Sequence, residues 1–114
     1  MQTSNGVNLE HKNLAAGRWA ELSLAEQMAN IGSEVERAIK WKAKGNFKYS
    51  DQAFFRSLEL LSLSLDTETS GSRLKELARL YEALVDYFKG ENIFASSDKL
   101  WRNYFYSFNW LARK

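Results

Sequence analysis

Residues 23–46 read SLAEQMANIGSEVERAIKWKAKGN, and this stretch decides the fold. Ser23 followed three positions later by Glu26 has the form of a capping box, in which each side chain satisfies the other residue's backbone amide at a helix start. Leu24, Met28, Ile31, Val35 and Ala38 then recur at steps of four and three, the seam spacing of a helix packed in a left-handed bundle. Gly45-Asn46 supplies the stop, because glycine takes the left-handed conformation that ends a helix. The spacing predicts a helix over about 24–44 with one apolar stripe. Ala25, Ala29 and Gly32 form a small-residue flank beside it. A glycine inside a helix costs about 1 kcal/mol relative to alanine, so Gly32 is expected to mark a close approach of another helix.

Three further segments repeat the pattern. Phe47, Phe54, Leu58, Leu61 and Leu65 predict a helix over about 50–65, capped by Ser50 or Asp51 and fading into DTETSGS. Leu74, Leu77, Tyr81, Leu84 and Phe88 predict a third over about 72–89, broken by Gly90-Glu91-Asn92. Ser97 as N-cap and Asp98 at the positive dipole end open a fourth at about 98, with Trp101, Tyr104 or Phe105, Phe108 and Leu111 as its seam. The connections are short, which makes successive helices antiparallel neighbours. With no proline and only six glycines in 114 residues, nothing interrupts these helices. The expected fold is all-α: an antiparallel up-down four-helix bundle over 21–114, preceded by a flexible arm at 1–20. Trp19 and Leu22 are placed to staple that arm to the body.

Composition narrows the chemistry. There is no cysteine, which excludes disulfides and thiolate metal sites, and the single histidine, His11, lies in the arm. Glu82 and Asp86 stand at i, i+4 without a histidine nearby, short of the Glu-x-x-His pairs that build metal sites in bundles. Catalytic triads lack their usual members. The expectation is a protein that is not an enzyme, with no catalytic residues, no metal and no cofactor. No run of about 18 apolar residues exists, and the first residues lack a basic start with an apolar core, so a cytoplasmic protein without membrane contact is expected.

The formal charge is only +2, but it is unevenly placed. Arg37, Lys40, Lys42, Lys44, Lys48 and Arg56 face only Asp51 in their stretch, with Trp41, Phe47 and Tyr49 interleaved. In an up-down bundle Lys99 and Arg102 fall near the same end. These eight cations are the predicted nucleic-acid contacts, since phosphates bind basic patches and exposed rings stack on bases. Residues 57–98 hold eight acids and four bases, an acidic region able to pair with a basic end of another copy. LWRNYFYSFNW at 100–110 packs six aromatic side chains into eleven positions, more than one stripe can bury. Trp101, Tyr106 and Trp110 are therefore the predicted interface residues, tryptophan and tyrosine being favoured anchors there.

WAELSLAEQMANIGSEVERAIKWKAKGN, RLKELARLYEALVDYFKGEN and YFYSFN together resemble small bacterial four-helix-bundle proteins. That group includes ribosomal intervening-sequence proteins and the accessory variability determinants of diversity-generating retroelements. The resemblance implies an oligomeric accessory protein that binds RNA or DNA and docks on a reverse transcriptase without performing chemistry. The group is strongly basic, whereas this chain is mildly so. A second resemblance is to HEPN-type helical ribonucleases, whose motif is an arginine followed after several residues by histidine. Arg102 begins such a stretch, but Ser107 and Phe108 stand where the histidine belongs, which implies an inactive relative. A protein-only interaction adaptor is the other alternative.

Overall fold

The computed structural model describes residues 17–112, and every regular element among them is helical. A helical turn at 17–21 precedes α1 (Leu24–Ala43), α2 (Phe47–Thr67), α3 (Gly71–Lys89) and α4 (Asp98–Ala112). Most of the predicted arm, and His11 with it, lies outside the described residues. Its last part is already built into the body, because Trp19 is buried.

The opening of α1 follows its sequence signal. The Ser23 hydroxyl accepts from the Glu26 N–H at 3.1 Å, and the Glu26 carboxylate accepts from the Ser23 N–H at 2.8 Å. Beyond its end, Gly45 takes φ +78°, where a side chain would be strained. The buried face holds Met28, Ile31, Val35 and Ala38 as the spacing predicts, and adds Gln27, Gly32 and Ile39.

α2 begins earlier than expected because Asn46, read as the stop of α1, also caps the next helix: its side chain accepts from the Tyr49 N–H at 3.1 Å. Ser50 is thereby freed from capping and turned inward. Phe47, expected in the seam, is 63% exposed. It occupies the first turn of α2, beyond the last turn of α1, so no helix is left to cover it. The buried face is Ser50, Ala53, Phe54, Ser57, Leu58, Leu61 and Ser64. Three serines seven residues apart line it, and none was expected in the core.

Cross-helix contacts fix how the elements lie. The Ser50 hydroxyl donates to the Ala38 carbonyl at 2.8 Å and the Ser64 hydroxyl to the Gln27 side chain at 2.7 Å, so α2 starts by the end of α1 and ends by its start. Lys89 pairs with Asp51 at 2.6 Å, and Arg73 reaches Glu68, which sets α3 against α2 in the same manner. On the other flank of α1, α4 is seated directly over Gly32. α3 and α4 meet through rings, with Tyr87 and Trp101 centroids 6.4 Å apart.

α4 departs furthest from its predicted face. Trp101 and Phe105 are buried and Phe108 is half-buried, but Leu111 is exposed and Tyr104 partly so. Trp101 is a correction: at 4% exposure, enclosed by Tyr87, Tyr104 and Phe105, it belongs to the core and cannot anchor a partner.

A Cβ built on Gly32 would lie 2.6 Å from the Phe105 Cβ and 2.8 Å from its Cγ. Alanine gains about 1 kcal/mol in helix propensity, while overpacking costs about 1–3 kcal/mol. At a 2.6 Å approach the overpacking falls in the upper part of that range, about 2–3 kcal/mol, so Gly32→Ala is expected to lower the urea midpoint with a net loss of about 1–2 kcal/mol. An unchanged or higher midpoint would mean that α4 does not sit this close to α1.

Candidate nucleic-acid interface

Side chains on one flank of a helix recur every three or four residues. On α1 that flank carries Ser33, Glu36, Arg37 and Lys40, and on α4 it carries Arg102, Tyr106 and Asn109. Between them runs a groove of about 340 Å³ with Trp101 and Phe105 also in its lining. The two rings stack with centroids 6.1 Å apart and an interplanar angle of 28°. The Trp101 indole N–H is buried without a hydrogen-bond partner among the described residues. Tyr106 is 69% exposed at the rim.

The groove's cations are not equally available. Arg102 forks onto Glu36 with contacts of 2.9, 3.2 and 3.1 Å, a bidentate pair between residues 66 positions apart. Hydrogen bonding to that carboxylate, followed by its charge, holds the guanidinium above its ordinary pKa. Arg37 contacts Glu34 at 3.2 Å. Lys40 is exposed and has no ion pair among the described residues. Such surface pairs are worth little individually, and an incoming anion can exchange with them.

The other predicted contacts distribute differently. Lys42, Lys44, Lys48 and Lys99 lie at the end where α1 finishes, α2 starts, α3 finishes and α4 starts. The Lys42 ammonium sits 4.9 Å from the Tyr87 ring centroid and 5.7 Å from that of Phe88, and Lys44 sits 5.3 Å from Trp41. Trp41 and Tyr49 pack edge to face at 5.0 Å. This end is less positive than the linear stretch suggests, because folding brings Asp86, Glu91 and Asp98 there beside Asp51. Arg56 stands apart, in a groove of about 570 Å³ between α2 and α3 that Phe55, Leu58 and Tyr81 also line. Of the predicted interface residues, Tyr106 and Trp110 are exposed.

Two features at this end had no isolated sequence signal. The Tyr87 hydroxyl donates to the Asp98 carboxylate, joining α3 to the first turn of α4. Asp86 is committed as well: its two oxygens accept from the Ile93 and Phe94 N–H groups at 2.8 and 3.0 Å, which accounts for it without the cation considered for the Glu82–Asp86 pair. Among the described residues no group of three or more histidine, aspartate or glutamate side chains could hold a metal ion. No helix among them is long and apolar enough to cross a membrane. No protein-family model, curated protein or solved structure matches the chain.

Burial first, then the hydrogen bond to Asp98 and its charge, pushes the Tyr87 hydroxyl up to about 12 from 10.0. A raised folded-state pKa makes its contribution fully present below pH 10 and lost as pH climbs towards 12, since the unfolded chain releases the proton first. Melting temperature is therefore expected to fall across that window, and Tyr87→Phe to flatten the fall. Identical alkaline slopes for both proteins would remove Tyr87 as its source. Tyr104, also raised by burial and then by Glu76, is left intact in the variant, so a residual slope remains.

Proposed function

We propose that this chain is a non-catalytic binding module, an antiparallel up-down four-helix bundle that takes single-stranded RNA or DNA along the α1–α4 groove. One observation carries the reading: Arg37, Lys40 and Arg102 converge from two distant segments on a single groove with the exposed Tyr106 ring at its rim. Cations that track a backbone and a ring on which a base can stack are the two ingredients of sequence-tolerant single-strand binding. Lys40 makes the first contact. Arg102 then exchanges the Glu36 carboxylate for a phosphate, which its planar fork accepts in the same bidentate geometry. The lysines at the neighbouring end extend the track.

The resemblance to accessory bundles gives the reading its context, with a homo-oligomer in the cytoplasm that serves a nucleic-acid-processing enzyme such as a reverse transcriptase. The ribonuclease-like alternative finds little support beyond Arg102, since Ser107 stands where the histidine belongs and its hydroxyl donates to the Tyr104 carbonyl at 3.0 Å. A protein-only adaptor is favoured by one separate observation. Leu100, Tyr104 and Leu111 recur on one side of α4 and are exposed, an apolar stripe suited to a protein partner.

The test is fluorescence anisotropy with a labelled single strand of about 16 nucleotides, titrated at low and high salt. Wild-type binding is expected to weaken steeply with salt. Arg37→Glu with Lys40→Glu should lower affinity at least about tenfold and reduce the salt slope by about two. Tyr106→Ala should cost about tenfold with the slope unchanged, and Lys42→Glu with Lys44→Glu less than the groove pair. Absence of salt-dependent binding in the wild type would leave the adaptor reading in its place.

A further inference from the structure

The loop at 90–97 holds two large apolar side chains out into solvent, Ile93 at 77% and Phe94 at 61% exposure. It is tied down at almost every step. Asp86 accepts from the N–H groups of Ile93 and Phe94, and its carbonyl accepts from the Asn92 N–H at 3.2 Å. The Asn92 side chain donates to the Ser96 carbonyl at 3.0 Å and accepts from the Ser96 N–H at 2.8 Å. Asn92 and Ala95 both take left-handed backbone conformations, at φ 56° and 54°. For alanine that conformation is strained. Strain maintained by several hydrogen bonds, in a loop that displays apolar side chains rather than hiding them, points to a surface shaped for contact.

A receptacle of matching character exists on the same molecule. The α2–α3 groove, about 570 Å³, is walled by Phe55, Leu58 and Tyr81, with Phe55 itself exposed. Its rim carries Arg56 and Glu59, and the loop is flanked by Glu91 and Lys99. None of these four charges is in an ion pair among the described residues. Within one molecule the loop is fastened to Asp86, so the knob stays exposed and available to a second molecule.

We infer that Ile93 and Phe94 of one copy seat in the α2–α3 groove of a second copy, with Glu91 facing Arg56 and Lys99 facing Glu59. The apolar pair lies against the Phe55 and Tyr81 rings of this shallow groove, and each rim charge meets its opposite. Tyr81 of the groove and Asp86 of the loop anchor both lie on α3, five residues apart. Knob and groove thus share one helix, and the pairing proposed is the two-fold one in which each copy supplies both, giving a closed dimer. This assembly needs no nucleic acid and does not use α4's exposed rings.

Sedimentation velocity of the full chain without nucleic acid, over a wide concentration range, tests it. A monomer–dimer equilibrium is expected. Phe94→Ser and Phe55→Ser should each raise the dissociation constant about tenfold or more, the size expected of an apolar anchor, with unchanged circular dichroism. Arg56→Glu and Glu91→Arg should each weaken the dimer, and the double variant should restore it, which loss of structure cannot do. Trp110→Ala should leave the dimer intact. A chain monomeric at every concentration, a dimer indifferent to Phe94→Ser, or a charge swap without rescue would each overturn the inference.

Discussion

The close pairing of α1 with α2 is the constraint on which everything else rests, and three buried serines make it possible. Ser50, Ser57 and Ser64 repeat every seven residues along α2. Their side chains are small enough to let the helices approach, but each brings a hydroxyl that must be satisfied once buried. Ser50 donates across to the Ala38 carbonyl, and Ser57 back to the Phe54 carbonyl at 2.6 Å. Ser64 belongs to a closed circuit: it accepts from the Trp19 indole at 2.8 Å and donates to Gln27, whose amide donates to the Trp19 carbonyl at 2.9 Å. That circuit binds the turn at 17–21, α1 and α2 into one unit. A buried network of this kind specifies its geometry because a partly satisfied version is costly, about 1–3 kcal/mol for each group left unpaired.

With α2 fixed on one side of α1, α4 is accepted on another through the missing side chain of Gly32. The groove is a by-product of this arrangement: α1 is held from two directions, and its remaining flank lies open beside α4. The same packing decides the electrostatics. Arginines that look unopposed in the chain acquire carboxylates, Arg102 from another helix and Arg37 from the preceding turn. Lys40 keeps its charge clear, which makes it the most accessible cation of the groove.

Much of the framework was legible. The capping box at Ser23, the glycine stop at Gly45, the N-cap at Ser97 and the meaning of Gly32 are local signals, and local physics carries through to the folded chain. Periodicity also located Met28, Ile31, Val35, Leu58, Leu77 and Leu84 correctly. It failed where the neighbour decides. Phe47 fits the seam in sequence but extends beyond α1, and Leu111 is a seam residue with no helix to cover it. The serine column carries no apolar periodicity to mark it as core, although the seven-residue recurrence of one small residue is present in the sequence. The groove was half legible: its basic residues could be named from charge clustering, but which would converge and which would be paired depends on contacts between residues far apart in sequence. In sequence the loop at 90–97 shows only a helix break at Gly90-Glu91-Asn92, since its hydrogen bonds depend on Asp86 folding back over it.

The ring-filled seam between α3 and α4 has a consequence for how the molecule comes apart. α3 and α4 each have one close backbone neighbour, but α3 approaches α2 along a shorter stretch than α4 approaches α1, and the buried residues of α3 are Leu77, Leu80 and Leu84. On its other side Tyr87 alone reaches both Trp101 and Asp98. Stability in such a protein is not uniform, and the element with the sparsest close packing opens at the lowest free energy. α3 is therefore the natural first unit of sub-global opening. α1, α2 and α4 remain joined by the serine circuit and the Gly32 seat, a three-helix remnant that exposes Trp101 only when α3 has left.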